Sequence, residues 1–267
     1  MAGFAILITG HTPYRLDCNA IGGVPVRHSQ KNVGRASGWQ KGTESLSMRD
    51  KEKDAAQMAA RRQGMLEVAF ALFAERGIEA VSMPQVAKAC GCGIATLYRY
   101  FNTKFALAVA VSTWVWERCF AEDNAKYRDD ALGQMTGAQQ FEAYLDRFLD
   151  LYRNHRNLLR FNQLFNIYVQ AEDTSPDQMA PYLRMIREVR DWFHGVYSKG
   201  QQDGTMRTDV TEDELFATTI HLMLAATTRY AVGLVFEPQD TPGVESELIL
   251  LKNMLMREYV TSPEVGL

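Results

Sequence analysis

The chain has 267 residues, 46% of them hydrophobic and 23% charged, with a formal net charge of −3 at pH 7. That length supports a large core, most naturally in two domains. No stretch approaches the ~20 consecutive apolar residues of a membrane-spanning helix, and so small a net charge argues neither for nor against a nucleic-acid partner.

The distribution of charge says more than its total. From Arg49 to Arg118 ten Lys/Arg stand against seven Asp/Glu, a net +3, whereas from Cys119 onward 14 stand against 23, a net −9. A mildly basic segment on an acidic body suits a nucleic-acid reader whose body is held off the phosphates. The four cysteines, Cys18, Cys90, Cys92 and Cys119, fit a reducing cytoplasm. A C-x-C spacing without a second pair or a nearby His is a poor zinc site, so no metal and no cofactor are expected. A redox switch at Cys90 and Cys92 is the minor alternative to simple packing.

Residues 1–47 scatter Gly22, Gly23, Gly34, Gly38 and Gly42 among polar residues with no sustained period. They read as a disordered extension, or as sequence upstream of a natural start at Met48. Arg27, Lys31, Arg35 and Lys41 leave open a basic arm. The short apolar run near Phe4 lacks a basic flank and is a poor signal peptide.

A first helix is predicted over Lys53–Arg76, with Leu66, Ala69, Phe70 and Phe73 on one face, widened by Val68 and Leu72. Gly77 stops it. The next helix opens at Ser82, which makes a capping box with Gln85 and has Pro84 in its first turn. Cys90-Gly91-Cys92-Gly93 is a tight turn. A third helix follows from Ile94 to Phe101, with Leu97 and Phe101 inward and Thr96, Arg99 and Tyr100 outward; Tyr98 sits at the margin. Asn102-Thr103 breaks it and caps a fourth helix from Lys104. This order is that of a helix-turn-helix DNA reader.

Arg99 suits phosphate oxygens or a guanine edge, and Thr96, Tyr98 and Tyr100 suit phosphates or a thymine methyl. Lys104 lies where helix N–H groups already attract phosphate. With the capping Ser82, these are the candidate DNA-contacting residues. An ordinary three-helix module without nucleic acid is the bland alternative, and it gives no reason for surface aromatics beside Arg and Lys.

The segments LFAERG, SMPQVAKACG and TLYRYF, the last followed by Asn102-Thr103-Lys104, resemble the N-terminal domain of the TetR family of bacterial transcription regulators over residues 57–115. The resemblance implies a homodimer, a palindromic operator of double-stranded DNA, and an all-helical C-terminal domain that holds a small ligand. Three departures stand out. The family usually has Ser at Gly93, a polar residue at Ile94 with Gly at Ala95, and Glu at Phe105. Thr96, Tyr98, Arg99, Tyr100 and Lys104 are therefore favoured as contacts over Gly93, Ile94 and Ala95.

Beyond Lys104 the fourth helix runs through Leu107, Val111, Trp114 and Val115 to about Asn124, and a polar linker ends at Thr136-Gly137. Further helices are predicted over Ala138–Asn154, Leu158–Gln170, Pro176–Gln202 and from Thr211 to about Leu234. Thr211 and Glu214 read as a second capping box, Pro238–Gly243 as a turn, and Val244–Tyr259 as the last helix. No strand pattern appears. The expected fold is all-α: residues 48–118 form a three-helix helix-turn-helix domain, and residues 119–267 a helical ligand-binding and dimerisation domain.

Leu222, Met223, Ala225, Ala226, Leu248, Leu251, Leu255 and Met256 spread apolar or small residues over more than one face of the last two helices. Such faces need a partner beyond their own core, and the resemblance makes them the homodimer bundle. Bundles hold ligands between helices. The candidate ligand-binding residues are Phe161, Phe165, Tyr168, Trp192, His221 and Arg229, with Met185, Asn162 and Asn166 beside them, for a small hydrophobic or aromatic effector. Core packing is the bland reading of each.

Neither a Gly-rich phosphate loop, an H-E-x-x-H nor a G-x-S-x-G motif occurs, so an enzyme is not expected. The sequence therefore points to a ligand-responsive transcriptional repressor. An activator or protein-partnered regulator of the same fold is the first rival, and an all-α carrier or enzyme with a scaffold bundle the second.

Overall fold

The computed structural model describes residues 41–126, 129–233 and 243–261. They form ten helices: α1 (Lys41–Arg76), α2 (Met83–Ala89), α3 (Ile94–Tyr100), α4 (Lys104–Lys126), α5 (Asp129–Gln134), α6 (Gly137–Asn154), α7 (Arg156–Ala171), α8 (Pro176–Gln202), α9 (Glu212–Val232) and α10 (Val244–Tyr259). Among these residues there is no strand, and Met206 and Val260 make an isolated antiparallel bridge. The fold is all-α, as the periodicities predict.

Helix α1 starts earlier than its apolar period, at Lys41, and so enters the stretch expected to be an extension. Residues 1–40, with Cys18, Arg27, Lys31 and Arg35, lie outside the described residues. So does most of the predicted turn at Pro238–Gly243; Gly243, in the left-handed region, directly precedes α10.

The predicted stripe of α1 serves two neighbours. Leu66, Ala69 and Phe73 are buried with Val81, Val86, Ala87, Leu97 and Phe101 of the small N-terminal bundle. Phe73 also stacks on Phe161 of α7 at 6.5 Å. Phe70 meets Phe161 at 5.5 Å and Trp114 of α4 at 6.4 Å. Burying such a side chain contributes ~1.5–3 kcal/mol, so this aromatic contact ties the N-terminal bundle firmly to the body. Gly77 ends α1 with φ +86° and donates its N–H to the Phe73 carbonyl at 2.9 Å, a conformation in which a Cβ would be strained.

The body is organised around α6, which packs on α8, α9 and α10, while α4 lies along α8 and α7 on α9. Where α6 and α8 cross, the backbones touch: a Cβ on Gly137 would lie 2.1 Å from the Gly200 Cα. The start of α6 is held by Thr136 and Gln139 as a capping box. The α8–α9 loop reinforces it: Asp203 Oδ2 accepts from the Gly137 N–H at 2.8 Å, and Thr205 Oγ1 from the Ala138 N–H at 3.0 Å. Desolvation works against the Asp203 charge, but the hydrogen bonds from Thr205 and Gly137 outweigh it and hold this carboxyl below the usual carboxylate range. Lys252 of α10, 9% exposed, bonds Asp146 of α6 at 2.6 Å and lies 3.0 Å from Glu142.

Three details depart from the sequence expectation. Thr211 accepts from the Glu214 N–H, but no return bond from the Glu214 side chain completes the box. Complete boxes occur instead at Thr136–Gln139 and Ser175–Gln178. The polar linker before Thr136 contains α5, tied down by the Gln140 amide donating to the Leu132 carbonyl at 2.8 Å.

Candidate nucleic-acid interface and internal cavity

Helices α2 and α3 form a compact corner. The Ser82 N–H donates to Gln85 Oε1 at 2.7 Å, and Ser82 Oγ accepts from the Gln85 N–H at 3.4 Å. The Ser82 hydroxyl also lies 3.0 Å from Gln85 Oε1. Ser82 is thus engaged in starting α2, so its part in an interface is to fix the geometry. The turn closes through Cys92 N–H on the Ala87 carbonyl at 3.0 Å and Gly91 N–H on the Lys88 carbonyl at 3.1 Å, with Gly91 at φ +64°. Gly93 precedes α3 in extended backbone and offers no side-chain cap. Burial, with Cys92 adding to it, pushes the Cys90 thiol up to about 11.

Around α3, Leu97 is buried and Arg99 exposed, while Thr96 and Tyr100 are half-buried. Tyr98 is 45% exposed and Ile94 39%. The Tyr100 ring lies against Phe101 at 6.4 Å, and the Arg99 guanidinium sits 5.8 Å from the Tyr100 ring. The outward surface therefore consists of Ile94, Ala95, Tyr98 and Arg99, flanked by Thr96 and Tyr100. Tyr98 is more open than a marginal position, and Ile94 and Ala95, which the sequence left in second rank, share its face. First-turn residues of a recognition helix are the ones that meet base edges.

Lys104 differs most from expectation. Its side chain turns back, with Nζ donating to the Glu79 carbonyl at 3.0 Å and sitting 5.7 Å from the Tyr168 ring. An ammonium has three donors, so this anchoring uses part of what a phosphate would receive. Phe105, where the resemblance leads one to expect Glu, is buried 6.1 Å from the same Tyr168 ring.

The candidate ligand residues fall into three places. Phe161, Phe165 and Tyr168 lie outside the walls of both the internal cavity and the groove. Phe161 and Phe165 stack together at 5.9 Å, and Phe165 meets Tyr182 at 5.3 Å. With Tyr168 against Lys104 and Phe105, this row is the joint between the N-terminal bundle and the body. These residues bind the two parts of the chain to each other. His221 and Arg229 line a groove of about 260 Å³ on the outer side of α7 and α9, with Asn162, Asn166, Ile220 and Leu224.

Trp192 alone of the six candidates lines the internal cavity, as does Met185, named beside them. This cavity, of about 140 Å³, lies between α4 (Trp116, Cys119, Phe120), α6 (Tyr144, Arg147, Phe148, Leu151), α8 (Met185, Ile186, Val189, Trp192) and α9 (Ile220, Leu224). Five of its lining side chains are aromatic. Trp116 stacks on Phe120 at 5.6 Å, and Tyr144 packs 5.4 Å from Phe148 and 5.5 Å from Trp192. The Arg147 guanidinium covers the Trp192 ring at 4.2 Å. The Tyr144 hydroxyl is buried and has no hydrogen-bond partner, and desolvation, partly countered by Arg147, pushes the phenol far above its ordinary value. The sequence signal for Tyr144 was its place within the apolar stripe of Phe141, Leu145 and Phe148. Trp116 and Phe120 carried no comparable signal, since α4 is apolar on several faces.

Among the described residues no helix is long and apolar enough to cross a membrane, and no group of three or more His, Cys, Asp or Glu could hold a metal.

Comparison with known proteins agrees with this layout. The family described as bacterial regulatory proteins, tetR family, matches residues 65–111. The HTH-type transcriptional repressor KstR2 of Rhodococcus jostii (strain RHA1) is 23% identical over 164 residues, 61% of this chain and 76% of the relative. Among solved structures, the ketosteroid transcriptional regulator KstR2 of Mycobacterium tuberculosis aligns with a TM-score of 0.54 and 18% identity over 76% of this chain and 96% of that one. The regulator FadR of Bacillus subtilis, in complex with stearoyl-CoA, aligns with a TM-score of 0.56 and 15% identity over 73% of this chain and 95% of its own. At such identities the structural likeness is one of fold.

Proposed function

We propose that this chain, whose residues 65–111 match the tetR family of bacterial regulatory proteins, is a ligand-responsive repressor: a homodimer that holds a palindromic operator and releases it when a small apolar effector enters the internal cavity. In this reading residues 48–118 read DNA in the cytoplasm, and residues 119–267 hold the effector and the partner subunit.

The observation that carries the proposal is the continuity of α4. It begins just past Asn102-Thr103 at the end of α3, and its middle supplies Trp116, Cys119 and Phe120 to the cavity wall. A ligand that displaces that wall moves the helix from which α3 hangs. Coupling of ~1–3 kcal/mol between the sites would weaken DNA binding roughly 5- to 150-fold.

Exposed apolar side chains support the dimer. Leu222 and Val232 of α9 and Ile249, Leu250 and Met254 of α10 are 37–55% exposed, and such a surface on adjacent helices favours a self-complementary partner. A two-fold dimer presents its recognition helices about one helical turn apart, ~34–36 Å. A shift of either α4 then prevents both half-sites from being held together. The name of the Rhodococcus relative, a repressor, supports the sign.

Selection of bound sequences from a random duplex pool at near-physiological salt tests the reading. A palindromic motif is expected. Absence of any enriched sequence with refolded, ligand-stripped protein would refute it.

A further inference from the structure

Helix α3 has a narrow chemistry for a surface that reads bases. From Ile94 to Tyr100 it contains no Asn, Gln, Asp or Glu. In the major groove a side-chain amide singles out adenine, and a carboxylate accepts from the cytosine amino group. A guanidinium takes the two guanine acceptors, and an apolar group meets the thymine methyl. Of these four means α3 offers only the last two. Arg99, exposed, is the guanidinium.

The apolar means is Ile94, which is exposed and shares a face with Tyr98 one turn further on. A single exposed Ile needs no explanation, but the surroundings of this one give it a role. Leu97 anchors α3 in the core, Cys92 and Tyr100 pack beside it, and Ile94 is not part of that cluster. Gly93 before it has no side chain, and Ala95 after it, also exposed, has only a methyl. A Cβ built on Gly93 would meet nothing within 4 Å, so the space beside Ile94 is open. The Ile94 side chain therefore stands above its neighbours, and β-branching restricts its rotamers before any contact is made. It is a stiff apolar knob on the face that also carries the guanidinium.

Resting on the reading of α3 as the recognition helix, we propose that Ile94 is a specificity-determining residue that selects thymine. Its side chain packs on the C5 methyl of one thymine in each operator half-site, beside the guanine or phosphate that Arg99 engages. That thymine is read through its methyl and not through its hydrogen-bonding edge.

The test titrates the full-length, ligand-stripped protein against the duplex selected from the random pool. Each thymine in turn is replaced in both half-sites by deoxyuridine, which removes the C5 methyl and leaves the hydrogen-bonding groups in place. At one thymine the replacement should weaken binding roughly fourfold per half-site, the scale of one buried methyl, and about 15-fold for the pair. Ile94→Ala should bind the thymine and uracil duplexes alike at that position, and it should melt with the parent because Ile94 is exposed. In the parent protein, 5-methylcytosine at that position should bind more tightly than cytosine, since it restores the methyl alone. Uracil that binds as well as thymine at every position overturns the assignment. So does a difference that survives in Ile94→Ala, since the methyl then acts through DNA shape or another side chain. A selection that enriches no sequence overturns the DNA-reading role itself, whereas an enriched palindrome without a methyl-sensitive thymine overturns only the role of Ile94.

Discussion

The Trp116 indole N–H donates to the Asn162 side-chain oxygen at 3.3 Å, joining α4 to α7 at a point where both groups are buried. Trp116 forms part of the cavity wall, and the neighbour of Asn162 in sequence, Phe161, stacks on Phe73 of α1. One hydrogen bond thus separates the internal cavity from the aromatic joint beneath the recognition helices.

Replacing Asn162 with Ala leaves the indole N–H buried and unpaired. The expected loss is ~1–3 kcal/mol, read from the urea midpoint at constant slope. An unchanged midpoint would mean that the indole finds another acceptor.

The interface separates readout from anchoring. Arg99→Ala should weaken binding to the selected duplex by ~1–3 kcal/mol and relax sequence preference. Lys104→Met should cost DNA affinity less than Arg99→Ala and should also lower the melting temperature, because its ammonium holds the Glu79 carbonyl. Titrations of both variants against operator and scrambled duplex at one salt concentration compare these effects. A larger affinity loss from Lys104→Met would reverse the assignment.

Gly137→Ala should be among the most damaging small changes in the body. The new methyl would lie 2.1 Å from the Gly200 Cα, against backbone that has no side chain to move aside. Overpacking costs ~1–3 kcal/mol, and a clash with backbone belongs at the upper end of that range. Thermal melting beside Gly195→Ala, whose added methyl meets nothing within 4 Å, isolates the clash from the general effect of adding a methyl.

Asp203 gives stability a particular pH dependence. Its folded-state pKa lies below the ordinary carboxylate value, so the unfolded chain takes up its proton first as pH falls. Its contribution is present above about pH 4 and is lost as pH drops through the folded value. The stability gap between the parent protein and Asp203→Asn should therefore close under acid and stay constant between pH 6 and pH 8. Urea midpoints across that range measure it.

The Cys90 thiol, pushed up to about 11, should carry thiolate in only about one molecule in a thousand at pH 8. Iodoacetamide should label it far more slowly than a free thiol at that pH. Rapid labelling, or a Cys90–Cys92 disulfide under mild oxidant, would revive the redox reading of this turn.

Local signals were legible where the chain is its own partner. The Ser82–Gln85 box, the stop at Gly77, the tight turn around Gly91, and the inward Leu97 and outward Arg99 of α3 depend on residues within a few positions of each other. The cavity was not legible. Trp116, Tyr144, Trp192 and Ile220 meet there from four helices, and helical spacing marks which face is buried without saying what lies opposite. Phe161, Phe165 and Tyr168 illustrate this: their period correctly marks a buried face, but what meets it is Phe70 and Phe73 of α1, Phe105 of α4 and Tyr182 of α8. The inward turn of Lys104 was not legible for a related reason, since the Glu79 carbonyl that engages it is brought close only by folding.

Ile220 and Leu224 line both the internal cavity and the outer groove of α7 and α9. These two side chains are a shared partition: a rotamer that gives room on one side takes it from the other. Two compartments divided in this way are coupled through their wall, because a guest that pushes Ile220 or Leu224 aside in one changes the room left in the other.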